Sequence, residues 1–557
     1  MTEVSMNRIV PIPFAVATGS VDTVSSSTTA SRPAQPEVDL RLLTGLLGVL
    51  LASLAAGLNG NLVDIALGDV RGALGMSYDA GSWLSTAYQA TQVTAMAFAP
   101  WCAVTFSLRR FTLAAIGALV LLGVLCPLAP NYPVLLGLRT LQGLAAGCLP
   151  PVLMTVALRF LPPRLKLFGL AGYALTATFG PNLGIPLAAF WTEYFGWQLL
   201  FWQVLPLGLF SLVAVSWGIP QDPLHLERFR KFDWLGLFTG FPAICFLVIA
   251  ILQGDRLDWL NSPLIATLLG AGIALLVIFF INEKYHPLPF FSLDILRRRN
   301  FTHALITLAA ALVVLSSAMM VPAGLLAALH DYRPLQTTPM ALLVALPQLL
   351  VLPAIAALCN LRWVDCRWVL ALGLILCLMS CLGGLGMTAD WTRENFYGVL
   401  ALQILGQPMV VFALLMSATS VVTAQEGPVA SAWFNTVKGF AAIAGTGIVT
   451  NLTSSRTHAH FAQLVDQLGN DAVLSVQSAL LPSASPQSVL ARLIQQVNAQ
   501  AHVLAAIDIY TTMAVLTISL IVLIPFVAQR VFPPAEQSDP IAASSRSADR
   551  PELLHHA

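Results

Sequence analysis

The chain has 557 residues, of which 57% are hydrophobic and only 10% charged, with a net charge of +1 at pH 7. Soluble proteins carry about 25% charged residues, so this composition, with a mean hydropathy of +0.78, excludes a water-solvated body of this size. The balance of 28 basic against 27 acidic residues also excludes the basic excess of a nucleic-acid binder.

Residues 1–40 are rich in Ser, Thr and Pro, which predicts a disordered tail and no removable signal peptide. Fourteen apolar stretches of spanning length follow, near 42–66, 80–104, 111–129, 133–157, 166–191, 199–219, 234–253, 262–282, 302–327, 339–358, 368–388, 396–421, 432–452 and 505–528. Residues 531–557 predict a second tail. An even number of spans puts both tails on one side.

Loop charges set the orientation. With the termini in the cytoplasm, the inner loops hold 14 basic residues, from Arg109 and Arg110 to Arg362 and Arg367. The outer loops hold six: Arg71, Arg256, Arg333, Arg393, Arg456 and Arg492. The pattern predicts an all-α polytopic membrane protein with a six-helix bundle over 41–220 and a second over 301–530. An extra hairpin with charged connectors occupies 221–300, and an outer loop covers 453–504. In that loop Phe461, Leu464, Leu468, Val473, Val476 and Leu480 recur at helical spacing, as do Leu490, Leu493 and Val497. Two amphipathic helices are expected there. All eight cysteines fall in spans or inner turns, so neither a disulfide nor a metal site is expected.

An ionisable residue inside a bilayer is a functional candidate. Asp64 lies late in span 1, Arg139 in span 4, Lys438 in span 13, and Asp508 is expected to open span 14. Coupling transport to protons needs a carboxylate with a basic neighbour, and Asp64 with Arg139 is the pair at compatible depth. For Lys438, snorkelling to inner head groups competes with a cavity role. In span 5, Gly180 and Gly184 share a face that admits a close neighbour, and Pro181 and Pro186 permit bending. No Gly-Lys pair exists, so no ATP-binding loop is present. No catalytic constellation or cofactor motif occurs, and an enzyme is not expected.

Several segments resemble the fourteen-helix drug:proton antiporters of the major facilitator superfamily, of the EmrB/QacA type and nearest the EmrB branch. RTLQGLAAG resembles the family's span 4 motif, with Arg139, Gln142 and Gly143 matched. GPNLGIP resembles the antiporter motif, with Gly180, Pro181 and Gly184 matched. GWQLLFWQVLPLG resembles the junction into span 6 and FNTVKGFAAIAGTG the start of span 13, with Asn435 matched and Lys438 where arginine is common. The chain departs from the pattern at Asn59, where span 1 of the family carries an acid, and at Gln203, where asparagine is usual. Asn59, Gln203, Asn435 and Lys438 are therefore cavity or gating candidates.

The resemblance implies a major facilitator fold of two six-helix bundles plus two extra central helices in the bacterial inner (plasma) membrane. It also implies export of amphiphilic organic compounds against protons, with Asp64 and Arg139 in the coupling role. A periplasmic adaptor and an outer-membrane channel are implied partners, alongside the lipid bilayer. The alternative from another class is a membrane receptor or assembly protein of the same fold without transport.

Overall fold

The computed structural model describes residues 40–423, 425–468 and 486–526. Both expected tails, and Val473, Val476 and Leu480 of the outer loop, lie outside them. The described residues form helices with no strand among them. In a bilayer an open sheet edge has no water to satisfy it, whereas a helix satisfies its own backbone.

Helix α1 (Leu40–Ile65) runs into a short α2 (Leu67–Leu74), which stops at Gly75 in the left-handed conformation (φ 62°). Helix α3 (Tyr78–Thr105) is capped by Ser77, which accepts from the Ala80 amide, and α4 (Leu108–Leu125) returns. Asn131 caps α5 (Tyr132–Gly147), which continues past Cys148 as α6 (Leu149–Phe160). Helix α7 (Pro163–Tyr194) stays continuous through Pro181 and Pro186. The short α8 (Leu199–Trp202) and α9 (Val204–Gly218) meet at Gln203. A hairpin of α10 (Trp234–Gly254) and α11 (Pro263–Tyr285) follows. Then come α12 (Arg299–His330), α13 (Pro334–Cys359), α14 (Cys366–Gly384), α15 (Arg393–Ser420), α16 (Gly427–Gln467) and α17 (Pro486–Leu523).

Among the described residues eleven helical segments are long and apolar enough to cross a membrane, with α5–α6 and α8–α9 counting once each. Helices α3, α7 and α16 are as long but more polar, because they carry the hydrogen-bonding side chains that face the interior. Together these fourteen segments are consistent with the expected number of spans. Phe238, Ile273 and Leu350 are exposed, a pattern that suits lipid as the surrounding solvent.

Helices α1, α3–α7 and α9 pack on one another, as do α12–α17. The two sets meet along α7 against α13 and along α3 against α16. The α10–α11 hairpin leans on α3 and α16 at one side of this meeting. It is fastened there by Gln253, which donates to Thr86 at 2.6 Å, and by an ion pair between Arg256 and Asp79. At the other end of α3, Trp101 and Phe98 meet Phe232 and Phe290 of the connectors edge to face, each pair at 4.8 Å between centroids.

Two long helices correct the expected layout. The described start of the amphipathic helix expected after span 13 is an unbroken extension of α16 as far as Gln467, and α17 begins about a turn before Leu490. Asp508 therefore stands deep within α17 instead of opening it, where it meets His460 at 2.9 Å and Arg456 at 3.7 Å on α16.

Candidate functional site

A cavity of about 620 Å³ lies between the two sets, from mid-depth to the predicted outer end. Helix α1 contributes Asn61 and Asp64, α7 contributes Pro181 and Asn182, and Met319 and Met320 of α12 face them. The half-buried Asp64 accepts a hydrogen bond from the Gln89 side chain of α3. At mid-depth Asn182 donates to Gln407 of α15 at 3.1 Å, and Gln348 of α13 donates to the same oxygen at 3.2 Å. At the mouth Arg333 reaches Asp69 at 3.2 Å and Glu193 at 3.6 Å.

The opposite end is closed by side chains that join the two sets. The Tyr173 hydroxyl of α7 donates to Asn435 Oδ1 of α16 at 2.7 Å, and Ser431 donates to the Pro151 carbonyl of α6 at 2.8 Å. Lys438 Nζ donates to Thr176 Oγ1 at 3.2 Å and lies 4.5 Å from the Tyr173 ring centroid. Lys438 does not snorkel to the head groups; it is 8% exposed and points at α7.

Asp64 and Arg139 make no direct salt bridge, although they are near enough for each charge to act on the other. Arg139 is fully buried and donates from Nη1 to Asn59 Oδ1 and to Gln142 Oε1, each at 2.8 Å. Its guanidinium lies 4.1 Å from the Tyr88 ring centroid and 5.4 Å from that of Phe201. Among the described residues Nε and Nη2 have no hydrogen-bond partner, nor has Asn59 Nδ2. Asn59, expected to stand where the resembled family carries an acid, is thus the residue that holds this arginine.

Among the other matched positions, Gly143 lets α5 close on α3, since a Cβ there would collide with the Tyr88 carbonyl and the Thr91 hydroxyl. Gly184 meets α1, with Asn61 and Ile65 at 3.3 Å from where a Cβ would stand. Gly180 has only Leu54 nearby, at 3.8 Å, so the close approach expected there is absent. Gln203 serves a local role, accepting from Trp191 at 3.3 Å. None of Asn59, Gln203, Asn435 and Lys438 lines the cavity; Asn435 and Lys438 belong to the seal beyond its floor.

Sequence reasoning missed Gln89, Tyr173, Asn182 and Gln407. Each is a polar side chain inside a long apolar segment, and that was the signal available.

Outside the spans, the loop before α16 is fixed by charge. Arg298 grips both oxygens of Glu426, at 2.5 and 2.7 Å. That paired guanidinium pushes the Glu426 carboxyl down to about 2.

Comparison with known proteins places this geometry in a family. A profile described as Major Facilitator Superfamily matches residues 49–446. The multidrug export protein EmrB of Haemophilus influenzae is 25% identical over 503 residues, covering 87% of this chain and 95% of its own. EmrB of Escherichia coli K12 is 22% identical over 504 residues, covering 88% and 96%. The crystal structure of the human organic anion transporter TETRAN superposes with a TM-score of 0.52 at 14% identity, covering 87% of this chain and 99% of that one.

Proposed function

The chain belongs to the major facilitator superfamily of membrane transporters, and we propose that within it the protein is a secondary exporter of amphiphilic organic compounds driven by proton influx. The observation that carries this reading is a cavity with a carboxylate in its wall, closed at one end by hydrogen bonds between two helical sets. Residues 41–220 and 301–530 are the bodies that rock against each other, with 221–300 as a brace beside α3 and α16. Breaking the Tyr173–Asn435 and Ser431–Pro151 contacts opens the inner end, and closing α1 and α7 on α12 and α13 shuts the outer one.

The proton affinity of a carboxylate depends on its access to water and on its donors. Asp64 faces the cavity in this state and loses that access when the outer end closes, so the cycle itself changes its proton affinity. Gln89 supplies one donor to the carboxylate. Arg139 holds α1 to α5 through Asn59, which ties the position of Asp64 to span 4. The apolar wall with few polar groups suits loosely held amphiphiles.

Helix α16 has 41 residues, about 61 Å at 1.5 Å per residue, and the hydrocarbon core is about 30 Å thick. Its far end and the start of α17 therefore project from the bilayer on the predicted outer side. In an inner membrane with cytoplasmic termini they offer a seat for a periplasmic adaptor leading to an outer-membrane channel. The competing receptor reading is supported by Asn59, which sets a neutral amide against Arg139.

Dye efflux from energised cells tests the assignment. Expression of the chain should lower dye accumulation, and both Asp64→Asn and collapse of the proton gradient should abolish that effect. Efflux that survives both treatments would sink the coupling role of Asp64.

A further inference from the structure

We infer that Lys438 is the anchor for an anionic head group, so that the cavity takes amphiphiles carrying a carboxylate. This assignment rests on the exporter reading above and narrows its substrate class.

One face of α16 carries Asn435, Lys438, Ala442 and Thr446, spaced three or four apart and therefore in line. The first two touch α7, and the last two line the cavity. One face of α7 is ordered in the same way: Tyr173 and Thr176 touch α16, and Ala177 and Pro181 line the cavity. Of the Tyr173–Asn435 and Lys438–Thr176 hydrogen bonds between the two helices, that of Lys438 stands nearer the cavity-lining residues. Alanine stands next in line toward the cavity on both helices, so little side-chain bulk separates the ammonium from the open space.

Lys438 is 8% exposed, and among the described residues it has no carboxylate partner. A buried charge is costly unless it is paired. An ammonium has three donors; Thr176 accepts one, and the Tyr173 ring supplies only a weak counter-charge. The other charges of the cavity wall are already engaged. Arg333 is held by Asp69 and Glu193 at the mouth, and Asp64 accepts from Gln89 and is assigned to the proton. The ionisable group at the floor without a carboxylate partner among the described residues is therefore a base. A carboxylate seated there would pair with it, and its apolar tail would lie along Leu312, Leu315, Met319 and Met320 above.

The test uses three pyrene probes of matched length: pyrenebutanoate, pyrenebutanol and pyrenebutyltrimethylammonium. Binding to the full chain in lipid nanodiscs is read by fluorescence anisotropy, with empty nanodiscs as blank. The wild type should bind the carboxylate at least tenfold more tightly than the alcohol and the ammonium. Lys438→Gln should erase most of that tenfold preference, and Lys438→Arg should restore it. A wild-type protein that prefers the ammonium or the alcohol overturns the anionic assignment while leaving an exporter intact, and this comparison needs no variant to fold. A Lys438→Gln protein that keeps the full preference overturns the role of Lys438. Failure of all three probes to bind overturns the assignment together with the exporter reading.

Discussion

Nη1 of the fully buried Arg139 donates to the side-chain oxygen of Asn59 at 2.8 Å, so a neutral amide from α1 occupies the place beside this cation that a carboxylate would fill. Two guanidinium nitrogens are left without hydrogen-bond partners among the described residues. Asn59→Asp, nearly the same shape, is therefore expected to raise the melting temperature by converting a neutral contact into a buried ion pair. Asn59→Leu removes the acceptor and should cost about 2 kcal/mol. Thermal unfolding in detergent, followed by tryptophan fluorescence, separates the two. An aspartate variant less stable than the wild type contradicts this account of the pair.

The seal between Tyr173 and Asn435 makes a second prediction. Tyr173→Phe removes a buried bond worth about 1 kcal/mol from the closed inner end and should shift the inward–outward equilibrium roughly fivefold toward inner opening. Spin labels on the inner ends of α6 and α16, with distances read by pulsed electron resonance, report that shift directly. An unchanged distance distribution removes Tyr173 from the seal.

Two glycines one span apart should behave oppositely. Gly143→Ala forces a methyl group into the α3 backbone and should destabilise the protein by about 1–3 kcal/mol. Gly180→Ala meets only Leu54 at 3.8 Å and should stay within about 1 kcal/mol of the wild type. Paired melting curves decide the matter.

The Arg298–Glu426 pair links stability to acidity. The Glu426 carboxyl is depressed to about 2, below the value of an unpaired glutamate near 4.3. Its contribution is fully present above that unpaired value and is lost as pH falls through 2. Stability should therefore decline from about pH 4.5 downward, and Glu426→Gln should flatten that part of the curve. The group is partly exposed, so the effect should also shrink in high salt.

Much of the fold was legible because lipid leaves few choices. Apolar stretches of about 20 residues must be helices, and the expected span near 234–253 coincides closely with α10. The lengths of α16 and α17 were harder to read, since a helix leaving the membrane keeps its 3.6 period while its composition turns polar. Asp508 looked like the start of a helix because Ala505 and Ala506 before it begin an apolar run. At the site, Asp64, Arg139 and Lys438 stood out as charges in an apolar field. Their partners did not, because a pairing such as Tyr173 with Asn435 joins residues 262 positions apart. Asp64 and Arg139 were paired as neighbours from depth along the helices alone, and depth says nothing of which side chains each one touches. Asn59 and Gln142 face the guanidinium, while Asp64 turns toward Gln89.

Helix α16 runs for 41 residues from the seal against α7 with no proline after Pro428. A rod of that kind is a mechanical lever. Its short arm bears Asn435 and Lys438, and its long arm bears the Arg456 and His460 contacts to α17. If the rod moves as one piece, a small tilt at the seal becomes a larger sweep at the tip, and α17 is bound to follow. Whatever docks on that tip would then feel which way the cavity faces, and a clamp placed there could stall the cycle from outside without touching the substrate.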